Sequence, residues 1–337
     1  MVVFGAGASY DSTSSFPLTK FPNHPHRPPL TDQLFEERPE FVRARALFPR
    51  CLPIIPYFQN LAGSNVEQVM EKLQDESEAD PERMRQLVAI RYYLHYMLTR
   101  CVQLWIDSKA GVTNYKTLLD QIRHLKTSGE PVCLVTFNYD TLLEEVLPSV
   151  GVKFPRLSSY VEGEYKVIKI HGSVNWAREV QARISKVEER DPLDIANELI
   201  DRYEELQFSP TYEISNDLPI AKSGNRTMFP ALTIPVVTKS GFECPAEHVD
   251  ALREFLPKVT RLLIIGWRAT DERFVNLLAK GLAHETRAMV VSSSGETAVD
   301  IANRLRSARV DARFEIPANH GFTNFVSKRE EDGFLKA

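Results

Sequence analysis

The apolar run Pro131 to Val135 stops at the polar turn Thr136-Phe137-Asn138-Tyr139-Asp140, and a helical pattern, Thr141 to Leu147, follows at once. A strand that passes directly into a helix belongs to an open α/β sheet, where ligands bind at the carboxyl ends of the strands. Two other strand ends match it. Val2-Val3-Phe4 runs into Gly5-Ala6-Gly7-Ala8-Ser9, and Val167 to Ile170 runs into His171-Gly172-Ser173. Arg261 to Ile265 is a continuous apolar run of the buried parallel-strand type, ended by Gly266. Ala269-Thr270-Asp271 then opens a helix to about Ala283, and Met289 to Val291 and Arg313 to Ile316 supply the last strands, with the helix Thr297 to Ser307 between them. Strand and helix alternate, so the expected class is α/β: a Rossmann-like parallel sheet with helices on both faces and an inserted helical layer.

That layer lies between the first two strands. Thr31 or Asp32 caps a short helix through Arg38, Ser64-Asn65 caps Val66 to Leu73, and an acidic linker, Asp75 to Asp80, ends in Pro81. Met84, Leu87, Val88, Leu94, Met97, Leu98, Cys101, Val102 and Trp105 recur at three- and four-residue steps, the apolar stripe of one long helix and a core feature. A further helix, Tyr115 to Lys126, leads to Gly129. Beyond the third strand, the charged segment Ala177 to Tyr203 has a helical period and reads as a solvated excursion; residues 207–231 read as loop and Thr233 to Val237 as a candidate strand. One α/β domain is expected from residues 1–30 and 109–325, with 31–108 as its inserted layer and 326–337 as a tail. Phe16 to Pro29, with five prolines and with His24 and His26, reads as a surface loop or as a lid over the glycine turn.

Composition removes several function classes. The net charge is -4, with 41 basic and 45 acidic residues mixed along the chain, so direct nucleic-acid binding is not expected. No apolar run reaches the roughly 18 residues of a membrane span, and the start lacks a signal-peptide pattern; a cytoplasmic location is expected. The first strand begins at residue two, so either it is short or a preceding stretch is missing. Cys51, Cys101, Cys133 and Cys244 contain no C-x-x-C pair and no histidine–carboxylate cluster accompanies them, so no metal is expected.

Three places carry the candidate chemistry. Gly5 and Gly7 let a backbone approach a pyrophosphate and Ser9 can donate to it, although a tight turn with no ligand has the same signature and the third glycine of the dinucleotide fingerprint is absent. Asn138 has a donor and an acceptor with which to hold a water or a hydroxyl; equally, it suits a helix N-cap. Histidine ordinarily titrates near neutrality, so His171 can serve as a general base, or can be a buried histidine bonded to a backbone carbonyl.

Taken together, Gly5-Ala6-Gly7-Ala8-Ser9, Thr136-Phe137-Asn138-Tyr139-Asp140 and His171-Gly172 resemble, in order and in position at strand ends, the three nicotinamide-adenine-dinucleotide (NAD) motifs of the sirtuin superfamily. Ile264-Ile265-Gly266 resembles the family's fourth glycine turn, near the adenosine half. The phrases Lys169-Ile170-His171-Gly172-Ser173-Val174-Asn175-Trp176 and Gly266-Trp267-Arg268-Ala269-Thr270-Asp271 are most similar to the divergent sirtuin-like domains of bacterial anti-phage defence proteins, and the resemblance spans residues 1 to about 295. It departs at three points: the four-cysteine zinc module has no counterpart, the proline-rich loop stands where an Asp-Phe-Arg segment is usual, and Phe137 replaces the glutamine of Thr-Gln-Asn.

The resemblance implies NAD+ as substrate, cleaved at the nicotinamide–ribose bond to nicotinamide and ADP-ribose without a metal. It makes Asn138 and His171 catalytic, assigns the nicotinamide carboxamide to Asp140 and the phosphates to Gly5, Ala6, Gly7 and Ser9, and puts Gly266 near the adenosine. It also implies the toxic effector of a defence system, self-associating or working with a separate sensor or ATPase protein. Two other classes remain in view. A protein deacylase or ADP-ribosyltransferase is one, and the missing zinc module argues against its deacylase form. A module that senses the dinucleotide or ADP-ribose without turnover is the other, and it has no need of the Asn138–His171 pair.

Overall fold

The computed structural model describes residues 1–13, 26–61, 65–107, 113–234, 242–283 and 286–336. Among them ten strands form: β1 (Val2–Phe4), β2 (Val132–Thr136), β3 (Tyr165–Lys169), β4 (Gly172–Gln181), β5 (Gln207–Ile214), β6 (Lys222–Ser223), β7 (Arg226–Leu232), β8 (Arg261–Ile265), β9 (Thr286–Val291) and β10 (Ala312–Glu315). The chain divides into two compact units. One joins Met1–Pro22, Ala110–Ile170 and Pro245–Ala337; the other joins Asn23–Lys109 and His171–Cys244.

The first unit is built on a parallel sheet in the order β10-β9-β8-β1-β2-β3. The chain winds outward from β1 to β3 and then restarts on the other side of β1 with β8, so the order reverses between β1 and β8. This is the doubly wound arrangement of a Rossmann-like fold, whose ligand crevice lies at that reversal. All residues of β1 and β2, and Leu262 to Ile265 of β8, are buried. Successive side chains of a strand point to opposite faces, so unbroken burial requires cover on both. Helices Ala6–Ser12, Thr113–Leu125, Leu142–Val146, Ala246–Phe255, Glu272–Gly281 and Gly295–Ser307 flank this sheet. Burying a side chain such as Phe4 or Ile264 completely stabilises by about 2 kcal/mol. Asp271 and Ser294 cap the last two of these helices, accepting from the N–H groups of Phe274 and Thr297.

Helix Phe322–Ser327 runs into the stretch 326–337 expected as a tail, and helix Glu331–Leu335 lies within it, with Val326 and Phe334 buried in this same unit. Apolar residues at this spacing bury one side of each short helix.

The second unit contains the helices of residues 31–108 together with an antiparallel sheet, β5-β4-β7-β6. The long helix runs from Pro81 to Asp107, and Asn65 caps helix Val66–Ser77 in a reciprocal box with Gln68. The helix expected through Arg38 is instead a single 3-10 turn, Thr31–Gln33, and the next helix starts at Pro39. A residue before proline is driven out of the helical region, and Arg38 is extended, with ψ 140°.

Two expectations are overturned in this unit. The solvated helical excursion from Ala177 is strand to Gln181, and its helix is confined to Pro192–Asp201, while the expected loop 207–231 contains β5, β6 and β7. The first charges of that segment pair across the sheet: Glu179 with Arg226, which also meets Glu213, and Arg178 with Glu243 while lying over the rings of Phe208 and Tyr212. Proline is tolerated because Pro210 lies on the edge strand β5, and Pro230 lies beyond the two residues with which β6 pairs. Of the candidate strand Thr233 to Val237, Thr233 and Ile234 are not strand and the rest lies outside the described residues, as does most of the proline-rich loop.

Two stability measurements follow. A Cβ on Gly5 would stand 2.4 Å from the Gly266 carbonyl oxygen and 2.6 Å from Trp267 Cα, both backbone atoms, whereas one on Gly129 would meet nothing within 4 Å despite its φ of +79°. Gly5→Ala should cost about 3 kcal/mol or more, and Gly129→Ala about 1 kcal/mol, as read from denaturant unfolding. Burial pushes the Glu331 carboxyl from its ordinary 4.5 up to about 7. The stability present below 4.5 should therefore be lost as pH rises through about 7, and Glu331→Gln should flatten that part of the stability–pH curve.

Candidate functional site

Strand register sets the first geometry of the site. Phe4 pairs with Thr136 on one side and Ile265 on the other, and Thr136 pairs with Lys169. Ile265, Phe4, Thr136 and Lys169 thus form one row across four parallel strands. The residues that follow them, Gly266, Gly5, Phe137 and Ile170, leave the sheet along one edge.

Gly5, Gly7 and Gly266 close that edge at the point where the strand order reverses. Gly5 donates its N–H to the Ile265 carbonyl at 3.0 Å and Gly7 donates to the Gly266 carbonyl at 3.2 Å. A Cβ on Gly266 would stand 2.5 Å from Ala8 N and 2.7 Å from Gly7 C, and Gly266 has φ +61°. The two turns therefore pack backbone on backbone, and glycine is required on both sides. The N–H groups of Gly5 and Gly7 already have protein acceptors, which is structural work independent of any phosphate.

Asn138 is 7% exposed and its side chain lies in this junction. Its Nδ2 is 3.0 Å from the Gly5 carbonyl oxygen, 2.8 Å from Ser9 Oγ and 3.2 Å from the Tyr115 hydroxyl. It does not cap the following helix, Leu142–Val146, whose N-cap is Thr141. With the amide nitrogen turned into the protein, Oδ1 is the polar atom left for a ligand, so Asn138 can accept a hydrogen bond from a water or hydroxyl. Ser9 is 2% exposed and its hydroxyl is 3.0 Å from that of Tyr115. Tyr115 was not singled out from the sequence, where it starts an amphipathic helix; its hydroxyl partners come from chain positions more than twenty residues away.

Asp140 continues the network. Its Oδ1 accepts from Leu142 N at 3.1 Å, and its carboxyl is also hydrogen-bonded by Ser9. Burial holds the Asp140 carboxyl above the ordinary carboxylate range, against the opposing pull of Lys169 and the Ser9 bond. Lys169 is fully buried; its Nζ donates to the Asp140 carbonyl and lies 2.9 Å from Glu144 Oε1. The Tyr160 hydroxyl reaches the same carboxylate at 3.3 Å.

Phe137 stacks on Trp267 with centroids 4.7 Å apart, and both meet Phe274 edge-on. It ties the turn after β2 to the turn after β8. Of the residues expected to act together, Gly5, Ala6, Gly7, Ser9, Asn138, Asp140 and Gly266 all belong to the first unit. His171 belongs to the second unit, where it opens the segment His171–Cys244; it is half-buried, with its carbonyl accepting from Thr233 N at 3.0 Å. Gly172, with φ +79°, is held against β7, where a Cβ would stand 2.1 Å from the Ala231 oxygen. Among the described residues no group of three or more histidines, cysteines or acids is arranged to hold a metal, and no helix is long and apolar enough to cross a membrane. The chain matches no protein-family model and none of the curated proteins searched.

The Lys169–Glu144 pair generates a further measurement. Lys169→Met leaves a carboxylate buried without its cation and should cost about 3–5 kcal/mol in unfolding. Adding Glu144→Gln should recover much of that loss, which a double-mutant cycle reads directly.

Proposed function

We propose that the chain is a sirtuin-like NAD+ hydrolase. The observation that supports this best is the Asn138 carboxamide, buried at the strand-end junction with its nitrogen held by three partners. A lone N-cap or loop asparagine needs no such restraint, whereas a group that must place one water does.

Cleavage breaks the bond between ribose C1′ and the pyridinium nitrogen, and the electron pair leaves with nicotinamide. Positive charge builds on the sugar, water bonds to C1′, and a proton must be removed. Asn138 accepts a hydrogen bond from that water or from a ribose hydroxyl, and His171 takes the proton as general base. The products are nicotinamide, ADP-ribose and one proton. Asp140 bonds the nicotinamide carboxamide, the turn Gly5 to Ser9 lies against the phosphates, and Gly266 lies near the adenosine; these assignments follow the resemblance. By the same resemblance the enzyme is the effector of an anti-phage defence system, acting in the cytoplasm, self-associated or with a separate sensor or ATPase protein.

Purified protein, alone and co-expressed with its genomic neighbours, should release nicotinamide from NAD+. Asn138→Ala and His171→Ala should each lower that release by roughly a hundredfold or more while melting cooperatively. Near-normal turnover by either variant removes that residue's role. Saturable binding of the dinucleotide with no release under any condition would point to a sensor.

A further inference from the structure

We propose that Tyr115 is the positioning residue that fixes the Asn138 carboxamide for the reaction, through a hydroxyl chain that also takes in Ser9 and Asp140. The proposal rests on the hydrolase reading and extends it to a residue outside every strand-end motif.

The ring of Tyr115 is 1% exposed and is met edge-on by Phe4 at 5.0 Å and Phe322 at 5.8 Å. Its helix, Thr113–Leu125, is tied down beside it. Asn114 Nδ2 donates to the Asp11 carbonyl at 3.1 Å and to Thr323 Oγ1 at 2.8 Å, and Asp11 in turn accepts from Thr323 N at 2.8 Å. The phenol oxygen is therefore presented from a fixed frame.

Counting hydrogens gives the anchors of the amide. Asn138 Nδ2 has two, and three acceptors surround it. The Gly5 carbonyl can only accept, so one hydrogen belongs to it, and the other points to the Ser9–Tyr115 pair. The Ser9 and Tyr115 oxygens lie within hydrogen-bond distance of that nitrogen and 3.0 Å from each other, so the two hydroxyls form one bonded edge against the amide. Burial raises the Tyr115 phenol well above its ordinary range, which keeps its proton in place.

The two kinds of anchor do different things. The Gly5 carbonyl forbids a flipped amide, because Oδ1 would then face another acceptor. It does not set the amide plane, since rotation about an sp³–sp² bond is soft. The Tyr115–Ser9 edge is the second point that fixes the plane, and with it the direction of Oδ1.

The test is Tyr115→Phe in the full chain, assayed for nicotinamide release from NAD+. The ring and its packing remain, so the melting curve should stay cooperative. The kcat should fall about tenfold, the equivalent of one hydrogen bond, with KM within about twofold of the parent. In the Asn138→Ala background the same change should have no further effect. Tyr92→Phe is the control: Tyr92 is a buried tyrosine of the second unit whose hydroxyl has no hydrogen-bond partner among the described residues, and its loss should leave both constants unchanged. Turnover within about twofold of the parent, or a loss confined to KM, overturns the proposal. If Tyr115→Phe does not fold, Ser9→Ala is judged by the same criteria. Heteronuclear NMR of the Asn138 side-chain amide separates this proposal from the hydrolase reading. In Tyr115→Phe its two protons should shift and exchange faster with water whether or not the parent turns over. Should the parent release no nicotinamide while the amide signal moves, the reaction assignment falls and the positioning stands. An unmoved signal overturns the positioning itself.

Discussion

The close approach of two backbones at the strand reversal is the contact on which the site depends. Gly5 and Gly7 lie against Gly266 with no side chain between them, so the turns after β1 and β8 come closer together than any Cβ would allow. That contact sets where helix Ala6–Ser12 begins, and so where Ser9 stands relative to the turn after β2. A larger residue at position 5 or 266 would displace the helix and dissolve the hydrogen bonds to Asn138 with it. The glycines thus act on the site through geometry, whatever they also do for a ligand.

Around that junction the protein has buried more polar chemistry than a core tolerates cheaply. Asn138, Ser9, Tyr115, Asp140 and Lys169 are all at most 7% exposed. Each is offset by a specific partner: amide against carbonyl and hydroxyls, carboxyl against hydroxyl and backbone N–H, ammonium against Glu144 and a carbonyl. In a medium of low polarity such a set is strong when complete and costly when broken, so it holds one arrangement. The raised pKa of Asp140 is the mark of that environment. Perturbed acids often accompany function, and here the perturbed acid follows a strand end beside the reversal of a doubly wound sheet.

Sequence reasoning succeeded where burial is local and continuous. The run Arg261 to Ile265 is β8 residue for residue, Pro131 to Val135 overlaps β2, and the stripe from Met84 to Trp105 lies within one long helix. It failed in the second unit, where the stabilising partners are distant in the chain. Arg178 and Glu179 look like the start of a solvated charged surface until β4, β5 and β7 are laid side by side and they pair with Glu243 and Arg226. Residues 207–231 looked like loop because proline, serine and asparagine discourage strands, and those penalties lapse at an edge strand and beyond the end of a short neighbour. Residues 326–337 looked like a tail because a helix as short as Glu331–Leu335 carries little periodic signal of its own.

By itself the sequence determined the α/β class, the strand-to-helix turns and the polar residues on them, because apolar runs, glycines and turn chemistry act within a few residues of one another. Only the tertiary structure decided what those residues do to each other. It brought Gly266 against Gly5 and Gly7, turned the amide nitrogen of Asn138 inward, placed the Ser9 hydroxyl in a buried pair, and supplied Tyr115 from a helix with no motif at all. The physical reason is that hydrogen bonding and close packing are set by register and distance in space, and parallel strands bring together residues more than a hundred positions apart in the chain.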